Sequence, residues 1–229
     1  MHFLHIGKTG GTAIKHALKS AAAQAGLLLH GHDVRLHDVA TGELVFFFLR
    51  NPLARFVSAF YSRQREGRPR YVIPWSPDEE AAFARFRSAN ELANGLSATS
   101  TAERRKAERA MSSIVHVNNR YWDWLASADY LRSRAGDICF IGLQEHLAED
   151  FAIVRARLDL PEALRLPDGD VDAHRNPASV DRALDERAVH NLSAWYAQDF
   201  AAIEECRRLA RERQLGGSIC RVGDDFSGR

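Results

Sequence analysis

The chain has 229 residues, of which 45% are hydrophobic and 27% are charged, and 31 basic residues against 30 acidic ones leave a formal net charge of +1. This composition is typical of a globular protein of one large or two small domains, and it excludes a disordered or collagen-like chain. The longest apolar run, residues 44–49, is much shorter than the roughly 20 residues that span a membrane, and the balanced charge argues against bulk binding to nucleic acid.

Short apolar segments and helical patterns alternate along the chain. The segments that predict strands are 3–6, 26–30, 44–49 and 138–142, and those that predict helices are 12–24, 52–64 and 148–158. The segment 44–49 is apolar on both faces, as in a central parallel strand, and Pro52 suits the first turn of the helix after it. We therefore predict an α/β fold of the P-loop type, in which a central parallel sheet lies between two layers of helices.

The remaining segments are predicted to be mostly helical. Apolar residues recur at helical spacing over 101–126 and again over 185–213, so we expect these segments to be helical and the C-terminal half to be helix-rich. A polar connection, residues 160–180, has no periodicity. The cysteines have no metal-ligand spacing and are expected to be free thiols; they are Cys139, Cys206 and Cys220.

A glycine-rich turn with one lysine lies between the first predicted strand and the first predicted helix. Glycines let backbone N–H groups approach an anion closely, and a helix N-terminus adds a favourable dipole. The lysine adds a mobile positive charge, and the threonines add hydroxyl groups. The sequence therefore predicts an oxyanion cradle formed by Lys8, Thr9, Gly10, Gly11 and Thr12.

The same turn partly matches the phosphate loop of ATPases, whose pattern is G-x-x-x-x-G-K-[ST]. Gly7, Lys8 and Thr9 fit the end of that pattern, but His2 stands where its first glycine would have to be. Such an enzyme would also need an aspartate for Mg²⁺ after an apolar strand, and Arg50 occupies that place. A P-loop nucleotide kinase or NTPase is therefore the weaker alternative.

A second set of anion-binding side chains follows the third predicted strand. Arg50 stands at the carboxyl edge of the sheet, where open α/β folds bind their ligands. Ser58 lies about two turns into the next helix, on one face with Arg55 and Ser62. Because a guanidinium with a further hydroxyl donor suits a phosphate group, Arg50 and Ser58 predict a second phosphate contact.

These two motifs resemble the nucleotide-binding motifs of sulfotransferases, which use 3′-phosphoadenosine 5′-phosphosulfate (PAPS). The resemblance rests on K-T-G-G-T at 8–12 and on R-N-P-x-x-R-x-x-S-x-x-Y at 50–61. The segment His30-Gly31-His32, about twenty residues before Arg50, makes the chain similar to the heparan sulfate 2-O-sulfotransferase branch. The clear similarity covers residues 3–70, and Asn51 and Ala13 depart from its pattern.

The resemblance also implies which residues hold the donor nucleotide. Residues 8–12 would hold the 5′-phosphosulfate of PAPS, and Arg50 and Ser58 would hold its 3′-phosphate. Arg175 could supply a further contact to the 3′-phosphate. The product would be adenosine 3′,5′-bisphosphate, and no metal ion is required, in contrast to phosphoryl transfer with Mg²⁺.

Sulfuryl transfer needs a cation at the leaving phosphate and a base at the acceptor hydroxyl. Lys8 is placed for the first task. A histidine suits the second task near neutral pH, and the resemblance assigns it to His32. If the second strand continued to His32, His30 would share its face and would orient it or contact the acceptor. Lys8, His32 and His30 are therefore the predicted catalytic residues.

An arginine cluster follows the second motif. Arg63, Arg65 and Arg68 could bind or steer an anionic acceptor such as an acidic glycan, or they could form a solvated charged run around Glu66. We expect the acceptor to be a hydroxyl compound, of saccharide or glycan type. Within one domain over 1–229, we expect residues 72–135 to form a helical insertion that covers it.

Three further expectations concern the setting of the protein. Lys8 and Lys15 interrupt any apolar leader, so we expect a cytoplasmic enzyme of bacterial type. The tail over 216–229 is expected to be flexible.

A scaffold that binds the nucleotide without turnover is a third alternative for the function. The presence of Lys8 and His32 argues against it. The sequence does not indicate an oligomeric state.

Overall fold

The computed structural model of the chain describes residues 1–169, 176–177, 180–215 and 217–220. Contacts within the chain group it into two compact units. The first unit comprises Met1–Asn51, Arg120–Ala173 and Gln198–Arg229, and the second comprises Pro52–Asn119 and His174–Ala197. Arg175 and most of the predicted tail lie outside the described residues. That the chain forms a single domain stays a prediction.

The first unit contains a parallel sheet of four strands, which are β1 (His2–Leu4), β2 (Leu28–Leu29), β3 (Val45–Leu49) and β4 (Ile138–Leu143). Their spatial order is β2-β1-β3-β4, and every neighbouring pair is parallel. The strand order therefore reverses between β1 and β3. The four predicted strands and the α/β class are confirmed.

The described α-helices lie on the chain as follows. They are α1 (Gly11–Leu18), α2 (Pro52–Gln64), α3 (Pro77–Arg85), α4 (Ala89–Gly95), α5 (Thr101–Ser113), α6 (Tyr121–Leu125), α7 (Ala128–Ser133), α8 (Leu147–Arg157), α9 (Glu186–Trp195) and α10 (Ala197–Glu212). Helices α2 and α8 begin within a residue of their predicted starts, and α2 has Pro52 in its first turn.

Alternate side chains of β3 pack on opposite layers of helices, as the two faces of a buried strand must. Phe46 and Phe48 pack in a core formed with α1 and α8. Phe47 and Leu49 pack in a second core, whose helical residues include Trp124 from α6, Leu131 from α7 and Ile203 from α10. The first unit is therefore a sheet between two helical layers, as the sequence predicts.

The second unit is helical and is built around aromatic side chains. The ring centroids of Phe60 and Phe83 are 5.3 Å apart, and those of Phe56 and Tyr196 are 6.2 Å apart. All four side chains are buried. Helices α3 and α9 start at side-chain caps, since Ser76 accepts a hydrogen bond from the N–H of Glu79 and Asp185 accepts one from that of Ala188.

The segment 101–126 is helical in α5 and α6, but the chain leaves the helical conformation between them. There the N–H of Val115 donates to a carboxylate oxygen of Glu79 at 3.1 Å instead of to a helical carbonyl. His116 has a φ of +69°, which a right-handed helix does not allow. The helix predicted over 185–213 is likewise divided, at Tyr196, and the one over 12–24 ends at Leu18.

Two predicted boundaries also differ from the structure. The segment 72–135 is divided between the units, since residues 120–135 belong to the first unit, where Tyr121 and Trp124 are core residues. The described part of the predicted tail is packed. Ser218 and Ile219 are fully buried, and the N–H of Ser218 donates to the buried carboxylate of Asp150 at 2.8 Å.

Candidate functional site

The predicted site residues of the first unit lie at the carboxyl ends of neighbouring strands. Residues 7–12 follow β1, His30 and His32 follow β2, and Arg50 follows β3. In open α/β sheets, ligands bind at the carboxyl edge where the strand order reverses, which here lies between β1 and β3. An Nη1 atom of Arg50 donates to the carbonyl oxygen of Lys8 at 3.4 Å, so the two predicted anion motifs are in contact.

The backbone of the loop after β1 takes an uncommon shape. Lys8 has a φ of +68° and Gly10 has a φ of +87°, and both values lie in the left-handed region. Loops with such residues can turn successive N–H groups toward one anion. Helix α1 then begins at Gly11. Its cap residue, Gly10, has no side chain that could accept hydrogen bonds from the first N–H groups of the helix. The loop and the first turn of α1 therefore combine a glycine-rich backbone with the positive end of a helix dipole.

Thr9 stabilises this loop from inside. Its side chain is buried, and its hydroxyl donates to the carbonyl oxygen of Ile6 at 2.9 Å. The predicted hydroxyl contact of Thr9 with phosphate is therefore disfavoured, although its backbone N–H belongs to the predicted cradle. Thr12, in the first turn of α1, is half-buried.

Gly11 is required by the packing of a histidine. A Cβ atom at Gly11 would lie 2.0 Å from Cδ2 of His5, a distance that no side chain tolerates. His5 is buried, and its ring stacks on that of Phe3 with 5.9 Å between the centroids. The absence of a side chain at Gly11 therefore lets His5 lie against the start of α1.

His32, the predicted base, contacts His5 in two ways. The ring centroids are 3.8 Å apart, and Nδ1 of His32 lies 3.2 Å from the carbonyl oxygen of His5. Since a carbonyl oxygen only accepts hydrogen bonds, this contact places a proton on Nδ1 and leaves the lone pair of a neutral ring on Nε2. The carbonyl of His32 accepts hydrogen bonds from Trp124 Nε1 at 3.0 Å and from Arg35 Nη1 at 2.7 Å.

The surroundings of His32 favour its neutral form. Burial of the ring lowers the pKa of His32 below its ordinary value of 6.5. The hydrogen bond to the carbonyl of His5 opposes this shift, while the positive charges of Lys15 and Lys8 reinforce it. A neutral imidazole with Nε2 unprotonated is the form that accepts a proton from a hydroxyl group.

His30 does not share these surroundings, because the strand on which the two histidines would have shared a face ends before them. Strand β2 ends at Leu29, and the alternation of a strand does not continue to His32. Instead, Nε2 of His30 lies 2.8 Å from Nδ1 of His2, whose Nε2 lies 2.7 Å from the carboxylate of Glu43. Burial and the neighbouring His2 lower the pKa of His30. The catalytic role of His30 stays a prediction.

Comparison with protein families identifies the family of the chain. A model described as "Sulfotransferase family" matches residues 1–202, which is most of the chain and includes each of the four strands described above. The chain belongs to the Sulfotransferase family. As a member of it, the protein is a transferase of sulfuryl groups. The carbohydrate branch suggested by His30-Gly31-His32 stays a prediction.

No curated protein and no solved structure gives a match to this sulfotransferase. No described helix has both the length and the apolar character needed to cross a membrane. Within the described ranges, no three His, Cys, Asp or Glu side chains are grouped so that they could hold a metal ion.

The second unit of the sulfotransferase carries the other predicted contacts. Ser58 lies half-buried on α2, and its contact with the 3′-phosphate stays a prediction. Arg55, which the helical spacing places beside Ser58, is buried, and its Nη1 donates to the carbonyl oxygen of Asn119 at 3.0 Å.

The three predicted acceptor-binding arginines differ in their surroundings. Arg63 is buried, and both its Nε and its Nη2 lie 2.7 Å from the carboxylate oxygens of Glu79, so a contact with the acceptor is disfavoured there. Arg65 donates to the carbonyl oxygen of Tyr61 and to the side chain of Asn176. Arg68 is exposed and lies 3.0 Å from Glu66, so it alone of the three presents its side chain mainly to solvent.

Several site residues of the sulfotransferase were not predicted. They are His5, which packs on His32; Tyr121, which hydrogen-bonds to Arg50; and Glu145, whose carboxylate accepts from the N–H of Asn51 at 2.9 Å. His5 stands at the end of the first predicted strand, and the neighbouring ends of β1 and β2 would have indicated its contact with His32. Tyr121 carries no comparable signal, because its contact with Arg50 joins residues 71 positions apart.

Proposed function

We propose that this sulfotransferase transfers the sulfuryl group of PAPS to a hydroxyl group of an acceptor, of saccharide or glycan type. The observation that carries the proposal is the contact between the loop of Lys8 and the guanidinium of Arg50 at the carboxyl edge of the sheet. It joins two anion-binding groups at one edge, and PAPS has two separate phosphate positions to be held.

The residues present fit such a donor. A glycine-rich loop with two left-handed residues and a helix N-terminus suits the 5′-phosphosulfate, whose charge Lys8 would balance. Arg50 suits the 3′-phosphate, because a guanidinium presents two parallel N–H groups to phosphate oxygens. Gly10, Gly11 and Thr12 would contribute backbone N–H groups to the first of these positions.

PAPS supplies the sulfuryl group, whose transfer breaks a bond to a phosphate oxygen and forms one to the acceptor oxygen. Lys8 holds a positive charge beside the phosphate that leaves. His32 accepts the proton of the acceptor hydroxyl at Nε2, and the carbonyl of His5 keeps the other ring nitrogen protonated. His5 and Trp124 fix the ring and the backbone of His32, so that the base is held in one orientation.

Charge suggests the class of acceptor. Arg68 is the exposed member of the predicted acceptor-binding arginines, and Arg70 lies two residues further on, with its guanidinium 5.7 Å from the ring centroid of Tyr71. The exposed Arg68, together with the half-buried Arg70 on the exposed ring of Tyr71, suits an acidic saccharide, which offers both anionic groups and an apolar ring face. Sulfate transfer to acidic and neutral saccharides of matched length would test this class.

Calorimetric titration with adenosine 3′,5′-bisphosphate, AMP and ATP tests the donor. We expect the bisphosphate to bind more tightly than AMP, and this preference to fall in Arg50→Ala by about 1.5–3 kcal/mol, the range for hydrogen bonds to a charged group. Arg157→Ala is the matched control, because Arg157 is exposed at the end of α8. A preference for ATP that depends on Mg²⁺ would replace the proposal with a nucleotide kinase or NTPase, and binding of the bisphosphate without sulfate transfer to any acceptor would indicate an inactive scaffold.

A further inference from the structure

The hydroxyl group of Tyr121 bridges the two backbone polar groups of Arg50. The N–H of Arg50 donates to the Tyr121 oxygen at 3.0 Å, and the Tyr121 hydroxyl donates to the carbonyl oxygen of Arg50 at 2.5 Å. The two bonds are compatible, because a tyrosine hydroxyl has one proton to donate and lone pairs that accept. One side chain therefore satisfies both backbone groups of Arg50.

This bridge lies where the backbone would otherwise lose its regular partners. Arg50 follows the last residue of β3 and stands two residues before the first residue of α2, so that the ladder of the sheet has ended and the helix has not begun. Backbone groups at such a junction need partners from side chains or water. With Tyr121 as the partner, the position of Arg50 is set by a rigid aromatic side chain rather than by solvent.

Tyr121 is itself held firmly. Its side chain is fully buried in the core that contains Phe47 and Leu49 of β3. Its own N–H, at the start of α6, donates to a carboxylate oxygen of Asp199 at 2.8 Å, and Asp199 is also fully buried. A chain of hydrogen bonds therefore leads from α10 through α6 to the backbone of Arg50.

We propose that Tyr121 is a positioning residue for the 3′-phosphate of the donor and acts through Arg50. This inference rests on the proposed function, in which Arg50 recognises that phosphate. A guanidinium gains most from a phosphate when both N–H groups meet their oxygens at once, so a shift of its backbone weakens recognition even when the charge is retained. Tyr121 therefore controls the selectivity of the site for a 3′-phosphorylated nucleotide.

The test uses the full chain with Tyr121→Phe, which removes the hydroxyl and keeps the ring. Calorimetry gives the dissociation constants of adenosine 3′,5′-bisphosphate and of AMP, and their ratio reports recognition of the 3′-phosphate. We expect this ratio to fall by about five- to tenfold, as for one or two weakened hydrogen bonds to a charged group, with AMP binding nearly unchanged. Tyr196→Phe is the control, because Tyr196 is also buried and its hydroxyl donates to the carbonyl oxygen of Val117 at 2.8 Å.

A general loss of stability would not produce this pattern, since it would affect both nucleotides alike. In an Arg50→Ala background, Tyr121→Phe should leave the ratio unchanged, because the guanidinium through which Tyr121 acts is gone. If Tyr121→Phe does not fold, Asp199→Asn is the second variant. It weakens the hydrogen bond that Asp199 accepts from the N–H of Tyr121, and it should lower the same ratio to a smaller extent.

The outcomes separate this inference from the proposed function. If the unmodified protein prefers the bisphosphate and Tyr121→Phe keeps the full preference, the role of Tyr121 is overturned while the donor assignment stands. If the unmodified protein shows no preference for the bisphosphate over AMP, the donor assignment fails and the role of Tyr121 fails with it.

Discussion

The imidazole ring of His32 packs against that of His5, with 3.8 Å between their centroids and an angle of 38° between their planes. His5 in turn occupies the space that a side chain at Gly11 would need. The predicted base and the start of α1, where the glycine-rich loop ends, are thus joined by one buried side chain. A substitution at Gly11 should therefore displace His5 and, with it, the ring of His32.

The pH dependence of sulfate transfer should follow the titration of His32. Its neutral form accepts the proton, and burial lowers its pKa below 6.5. We therefore expect kcat/KM to stay constant through neutral pH and to decrease only as the pH falls through this lowered pKa. His32→Ala should reduce kcat by about 10²–10⁴-fold and remove the acidic limb of the profile. Equal losses of transfer and nucleotide binding in this variant would instead make His32 a structural residue.

Gly11→Ala should disturb His5 and, through it, His32. A methyl group 2.0 Å from Cδ2 of His5 forces the ring to move, and overpacking of this kind costs about 1–3 kcal/mol of unfolding free energy. Thermal or urea unfolding measures this cost, and kcat should fall as well. Gly136→Ala is the control, since a Cβ at Gly136 meets no atom within 4 Å. If Gly11→Ala unfolded like the control, the contact with His5 would not constrain the site.

Two substitutions of Lys8 should differ in stability but not in their loss of sulfate transfer. Its φ of +68° strains any residue with a Cβ atom, and glycine relieves this strain. Lys8→Gly should therefore be more stable than Lys8→Ala by about 1 kcal/mol, while both variants lose nearly all sulfate transfer. Lys19→Ala, at an exposed position after α1, should transfer sulfate normally. Transfer by Lys8→Gly at the rate of the unmodified protein would remove Lys8 from the mechanism.

Arg63 and Arg68 should respond differently to the same substitution. Arg63→Ala leaves the buried carboxylate of Glu79 without its positively charged partner and should cost about 3–5 kcal/mol of unfolding free energy. Arg68→Ala breaks only an exposed ion pair with Glu66, worth about 0–1 kcal/mol, and should act on the KM of an acidic acceptor. An unchanged KM in Arg68→Ala would exclude Arg68 from acceptor binding.

The ionisation of Glu79 should make the stability of the second unit depend on pH at acidic values. Burial raises its pKa, but hydrogen bonds from Arg63 and from the N–H groups of Ser76 and Val115 outweigh this and lower the pKa below 4.5. A lowered pKa in the folded state means that the carboxylate stabilises the fold above about pH 4.5 and that this contribution is lost as the pH falls through the lowered value. Urea unfolding at several pH values should show this loss, and Glu79→Gln should reduce its slope.

The parts of the fold that the sequence predicts well depend on local signals. The apolar run before Arg50 identifies β3, and Pro52 marks the start of α2, because each pattern is complete within a few residues. The glycine-rich loop is equally local, since its glycines, lysine and threonines are adjacent. These features were sufficient to predict the α/β class and the two anion motifs.

The parts that the sequence does not predict depend on distant partners. The break after α5 follows from a hydrogen bond between Val115 and Glu79, 36 positions apart, and nothing in the local pattern indicates it. The position of His30 follows from its contact with His2, and the buried state of Arg63 follows from Glu79. Propensity and periodicity cannot show which long-range contact overrides them.

The division of the first unit into separate stretches of chain has a consequence for synthesis. Strand β3, with three consecutive phenylalanines, emerges early, but its packing partners Tyr121 and Ile203 and its neighbour β4 follow much later. Until then β3 can pair only with β1, so that its other edge and the apolar face that packs on Tyr121 and Ile203 are open to association with other chains. Expression of this protein should therefore depend on chaperones and on slow translation, and fragments that end before residue 120 should aggregate although they contain every anion-binding residue from Lys8 to Ser58.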